Sequence, residues 1–162
     1  MTATAAPSKP LRWSSVKSCP RKAVYEATDA PARDRTVIEE RWLFRGRSLG
    51  REYVILLATA SAKTVWVDSG VDYWVPPDLR AASREQAGII AEQRVEWPLG
   101  IGHMDAFIVE TATVVEVLSS AHASDAMKHS KLLQATGYMA HYEPAENLAL
   151  VILNPSDFTE ER

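Results

Sequence analysis

Apolar positions recur along the chain with two periods, and the switch between them separates helices from strands. Val37, Trp42, Leu43, Leu49, Tyr53, Leu56 and Leu57 follow one another at helical spacing, which predicts a long helix from about Thr36 to Ala60. Gly46 and Gly50 fall inside it, each costing such a helix roughly 1 kcal/mol relative to alanine. Either a neighbouring element packs closely there or the helix breaks. Residues 64–67 read as a short strand, and residues 69–77 as a turn-rich stretch with Tyr73 and Trp74. A helix is predicted from Pro77 or Asp78 to about Ile90, with Leu79, Ala82, Gln86, Ile89 and Ile90 on one face. Residues 92–97 alternate as a strand, 103–110 and 113–118 give two more, 125–142 a second long helix, and 148–153 a buried closing strand. Before all of these, Ser14 or Ser15 is placed to cap a short helix carrying Ala23, Val24 and Tyr25.

The order helix, three strands, helix, strand predicts an α/β fold with a mixed sheet covered by helices. Residues 110–113 read as the tight connection of a hairpin between the second and third strands. A chain of 162 residues is large enough for one domain with a real core, here expected over 13–162 after a mobile tail at 1–12.

Composition adds exclusions. There is no apolar run long enough to span a bilayer, and the first residues lack the apolar block of a signal peptide, so the expected location is cytoplasmic. Cys19 is the single cysteine, which excludes an internal disulfide and a four-thiolate iron–sulfur cluster within the chain. Net charge is −3, but residues 1–60 hold eleven Lys/Arg against six Asp/Glu, and residues 61–162 hold seven against fifteen. A basic half beside an acidic half suits phosphate contacts next to metal ligands. The alternative is that Arg41, Arg45, Arg47 and Arg51 only solvate a helix face.

The chemistry concentrates between Gly102 and Tyr138. Glu116 interrupts the apolar run Val114-Val115-Glu116-Val117-Leu118, where a carboxylate is costly without a partner such as a metal ion. Asp105 lies on the neighbouring strand of the predicted hairpin, and His103 shares its strand face as a further ligand or base. Hard carboxylate oxygens of this kind hold Mg²⁺ or Mn²⁺, with the Val117 carbonyl a possible third ligand. Lys131, Gln134 and Tyr138 fall on one face of the following helix. The opposite stripe, Leu132, Ala135 and Met139, is assigned to the core or to a neighbouring helix. Two acids on paired strands and a polar helical stripe are one way to build a metal-dependent phosphodiesterase site.

The order Gly-x-x-Asp (102–105), a strand glutamate (116), then Gln-x-x-x-Tyr (134–138) resembles the PD-(D/E)XK nuclease superfamily, in the RecB-like branch that includes the CRISPR-associated exonucleases. The opening Ser14-Ser15-Val16-Lys17-Ser18-Cys19-Pro20-Arg21-Lys22 resembles that branch as well. The resemblance implies a restriction-endonuclease-like αβββαβ core and a metal-dependent, exonuclease-like deoxyribonuclease with Asp105 and Glu116 as ligands. It also implies that Gln134 and Tyr138 contact the DNA backbone. The chain departs from the pattern at three places. The branch's three later cluster cysteines are missing. No histidine follows the glycines of the first long helix, where Glu52 is the nearest group able to bind metal. Leu118 stands where the family has its E-x-K lysine.

Lys131, or Lys128 one turn earlier, would have to reach back to replace that lysine. Otherwise the chain is a catalytically impaired nuclease fold serving as a DNA-binding or protein-interaction module in a phage or CRISPR-related system. Expected partners are DNA, as single strands or duplex ends, with Arg45 and Arg51 on phosphate, and a helicase or a CRISPR or recombination protein.

Overall fold

The structure is a computed structural model describing residues 9–12, 20–28, 34–68, 73–98, 100–120, 122–154 and 160–161. The Ser14–Cys19 part of the opening motif and the first eight residues of the expected tail lie outside them. Helix α1 is Pro20–Ala27, α2 is Val37–Ser61 and α3 is Asp125–His141. The strands are β1 Leu11–Arg12, β2 Val65–Val67, β3 Ile89–Trp97, β4 Gly100–Ile108, β5 Thr113–Ser119, β6 Asn147–Leu153 and β7 Glu160–Glu161.

Each long helix starts where its first free N–H groups find a side-chain acceptor. The Thr36 hydroxyl accepts from the Glu39 N–H at 3.2 Å while the Glu39 carboxylate accepts from the Thr36 N–H at 2.8 Å, a reciprocal cap. Ser124 accepts from the Met127 N–H in the same way. Helix α2 continues unbroken through Gly46 and Gly50 to Ala62, whose left-handed backbone (φ 51°) ends it.

The strands form one mixed sheet in the order β2-β3-β4-β5-β6-β7, with β1 parallel to β4. The segments β3, β4 and β5 make an antiparallel meander. Helix α3 then crosses over to β6, which runs parallel to β5. Helices cover both faces. On one, Val54 and Ala58 of α2 pack on Val65, Ile89, Ala106, Val115 and Val117; on the other, Ala135 and Tyr138 of α3 pack on Ile90, Met104, Phe107 and Val114. The consecutive pairs Ile89-Ile90, Ala106-Phe107 and Val114-Val115 therefore serve two cores, with roughly 1.5–3 kcal/mol for each large side chain buried.

Alternation fails at one level of the sheet. Ala91 and Ala106 belong to the α2 face, but Val95 and Met104 belong to the α3 face, where Gln93 also meets Tyr142. Residues two apart on a strand normally share a face. The ladder keeps its register on both sides, Ala91 with Ala106 and Gln93 with Met104, and the pair Glu92–Asp105 between them does not form. Glu92 carries the change with φ 53°, a left-handed backbone rare for a side chain of its length.

Three expectations about the helices are corrected. The helix predicted from Pro77 to Ile90 is absent: residues 77–79 turn, Arg84–Gln86 make one 3-10 turn, and Ile89-Ile90 open β3. Leu79 and Ala81 instead bond Val65, through Val65 N–H to the Leu79 carbonyl and Ala81 N–H to the Val65 carbonyl, so this stretch runs beside β2. In α2, Val37 and Leu56 are exposed and the buried stripe is Leu49, Val54 and Ala58. In α3, Leu132 is exposed, whereas Ala135 is buried and Met139 packs against the core. Within the expected tail, Leu11 and Arg12 lie against Gly100 and Ile101.

Candidate active site where two strands part

Strands β4 and β5 pair only from Ala106 to Ile108 against Thr113 to Val115, and then separate. Side chains take over the lost ladder bonds. The Val117 N–H donates to Asp105 Oδ2 at 2.7 Å, and the Asp105 N–H donates to Glu116 Oε1 at 3.4 Å. The two acids are thereby fixed by the opening itself. Helix α3 supplies the third member: Lys131 Nζ donates to Glu116 Oε2 at 2.6 Å and to Asp105 Oδ2 at 3.3 Å. A helical lysine thus reaches the acids although the strand position two after Glu116 holds Leu118.

The charges are unbalanced, two carboxylates to one ammonium. Glu116 is fully buried, and burial, then the charge of Asp105, push its carboxyl up to about 8 against the pull of Lys131. The same two carboxylates hold the Lys131 ammonium above its ordinary value despite burial, so it stays charged. A buried cluster one positive charge short has the electrostatics to take up a cation or a proton.

Gln134 and Tyr138 are buried on the same side of α3, with Gln134 Nε2 donating to the Tyr138 hydroxyl at 2.8 Å. Burial raises the Tyr138 phenol, which therefore remains protonated. Its ring sits on Gly102, where any Cβ would overlap the ring, so glycine is required by close approach.

Beside the triad opens a cleft of about 420 Å³, lined by Asp105, Glu92, Tyr138, Arg12, Arg47 and Arg51 among others. Residues 46, 47, 50, 51 and 54 of α2 face it as one helical stripe, and the two glycines leave that wall low. Arg51 is held from two sides. Its Nε lies 3.7 Å from Glu92 Oε1, and its guanidinium sits 5.2 Å from the centroid of the Tyr73 ring, whose hydroxyl donates to the Arg51 carbonyl at 3.1 Å. His103 also lines the cleft, its imidazole lowered by burial and then by Arg94 and Arg12, hence neutral at pH 7.

The chain matches no family model, no curated protein and no solved structure. The site is therefore interpreted from its own geometry.

Of the residues singled out in the sequence, Asp105, Glu116 and Lys131 come together within hydrogen-bonding distance, and His103, Gln134, Tyr138, Val117 and Arg51 line the adjoining cleft. Val117 engages Asp105 through its N–H. Arg45 and Glu52 are exposed and are not part of the cleft lining, because the helix turns them away from the stripe of Arg47 and Arg51. Among the described residues, no group of three His, Cys, Asp or Glu side chains gathers as a metal cage. Glu92, Tyr73 and Arg12 line the cleft without having been singled out as site residues. An acid in the predicted strand 92–97 was the available signal for the first; the other two depend on long-range packing.

Proposed function

We propose that the chain is a divalent-metal-dependent nuclease with a restriction-endonuclease-like core. The observation that carries this reading is Lys131 Nζ between Glu116 and Asp105, at 2.6 and 3.3 Å. It brings together the two acids and one lysine that the sequence motif lacked at Leu118. The meander, crossing helix and parallel strand agree with the αβββαβ order.

Asp105 and Glu116 are the residues that would hold Mg²⁺ or Mn²⁺. The donor set fits: two hard carboxylates with a net negative charge suit an ion that keeps waters and takes phosphate oxygens as its other ligands. Such an ion lowers the pKa of a bound water and polarises the phosphoryl group. The chain's own residues do the rest. Lys131, kept charged by the acids, is placed to stabilise the charge that grows on the phosphate oxygens during attack of water at phosphorus. Arg12, Arg47 and Arg51 hold flanking phosphates, and the low glycine wall admits the strand. The attack forms one P–O bond and breaks another, releasing a hydroxyl end and a phosphate end.

The test is incubation with end-labelled single-stranded and duplex DNA and Mn²⁺, with Asp105→Ala and Lys131→Ala alongside. Metal-dependent cutting lost in both variants is the expected result. DNA binding without cutting by the wild type would instead favour a non-catalytic binding module.

A further inference from the structure

Glu92 has no place in the triad, yet the sheet is distorted around it. It is one of three non-glycine residues with positive φ among the described residues; Ala62 ends a helix and Ala112 lies in a hairpin turn, whereas Glu92 is in the middle of a nine-residue strand. Left-handed backbone in a strand interior persists only where the surroundings impose it, and such strain concentrates at functional sites. Its effect is concrete. Ladder pairing skips Glu92 and Asp105 together, and both residues line the cleft.

What the Glu92 carboxylate meets there is Arg51. The guanidinium forms an ion pair with Glu92 at 3.7 Å, too long for a hydrogen bond, and lies 5.2 Å from the centroid of the Tyr73 ring, whose hydroxyl donates to the Arg51 carbonyl. An arginine free to sample rotamers would lose much of its value as a phosphate ligand; one braced by an acid and an aromatic ring is already oriented. The brace stands beside Asp105, since Glu92 and Asp105 occupy facing positions of the neighbouring strands β3 and β4. It is also electrostatically coupled to it, since burial and Asp105 raise the Glu92 carboxyl while Arg51 and Arg47 lower it.

We propose that Glu92 is a positioning residue: through its left-handed backbone it holds Arg51 in the orientation that grips a substrate phosphate beside Asp105. This rests on the nuclease reading above. Glu92 touches no reacting atom. It acts through Arg51, and Tyr73 completes the brace.

A double-mutant cycle tests it, with Mn²⁺ and an end-labelled single-stranded oligonucleotide as substrate. Arg51→Gln should lower kcat/KM by about 10²-fold, as loss of an oriented clamp does. Glu92→Gln should lower it by roughly tenfold or more, and the double variant should be no worse than Arg51→Gln alone, because Glu92 works only through Arg51. Binding of the same oligonucleotide in chelator gives the second readout. Glu92→Gln removes a negative charge from the cleft and should bind as tightly as wild type or more so, a separation of turnover from binding that a merely structural role would not produce.

Glu92→Asn guards against a folding artefact. Asparagine accepts positive φ more readily, so this variant should melt no lower than wild type while still cutting slowly. Wild-type turnover in Glu92→Gln, or independent multiplying losses in the cycle, would overturn the proposal while leaving the nuclease reading intact. A wild type that leaves the oligonucleotide uncut overturns both.

Discussion

At the scale of single residues, the behaviour of the site turns on one ammonium shared by two carboxylates. Lys131→Ala should lower turnover by about 10²–10³-fold without weakening Mn²⁺ affinity, since it removes charge stabilisation and no metal ligand; single-turnover kinetics and calorimetric titration measure the two separately. The acid side makes a pH prediction. The Glu116 carboxyl is raised from 4.5 to about 8 by burial and Asp105, so the folded protein binds a proton there that the unfolded chain has released. Its stabilising contribution is complete below the unfolded value and is lost as pH climbs through about 8, while Lys131 stays charged across that window. In chelator, Tm should therefore fall between about pH 6 and pH 8, and Glu116→Gln should flatten the fall; an equal slope in the variant would contradict the assignment. Asp105 and Glu116 were legible because a charge amid apolar neighbours demands a partner. Lys131 was legible from helical spacing. Glu92 was not, because nothing in a string of residues announces a left-handed backbone inside a strand.

At the scale of elements, β5 supplies the glutamate and helix α3 the lysine, whereas a single strand carries both in the E-x-K motif that the sequence resembles. Leu118 lies two residues after Glu116 and so on the same face of β5. Leu118→Lys should accordingly restore part of the cutting lost in Lys131→Ala, and the double variant compared with Lys131→Ala alone measures this. No recovery, with circular dichroism unchanged, would mean that only the helical approach orients the lysine. The seat of α3 is exacting elsewhere. Gly102→Ala drives a methyl into the Tyr138 ring and should cost about 1–3 kcal/mol in urea unfolding, the usual penalty of overpacking. Periodicity identified both long helices and the meander because their apolar positions recur often enough to mark each element, even where strict alternation breaks at Glu92 and Asp105. It failed over residues 77–90, where Ile89-Ile90 supplies two faces of a strand rather than one face of a helix. It also placed Val37 and Leu56 of α2 in the stripe although both are exposed, because apolar residues encircle the axis and the buried ones are Leu49, Val54 and Ala58, with Tyr53, Ile55 and Leu57 packed beside them.

At the scale of the whole molecule, a net charge of −3 argues against long-range attraction to nucleic acid, so on the nuclease reading phosphate affinity would rest on the cleft arginines Arg12, Arg47 and Arg51. Replacing Arg12 and Arg47 by Gln should reduce the slope of log affinity against log salt for single-stranded DNA by about 1.4, at roughly 0.7 per phosphate contact. An unchanged slope in an anisotropy titration would take both arginines out of the interface. The parting of β4 and β5 brings a practical benefit. The amide protons of Asp105 and Val117 bond carboxylates of the site rather than a neighbouring strand. Their two ¹H–¹⁵N resonances are thus built-in reporters, set to move together whenever an ion, a proton or a phosphate changes the charge between the strands, while the rest of the sheet's spectrum stays still.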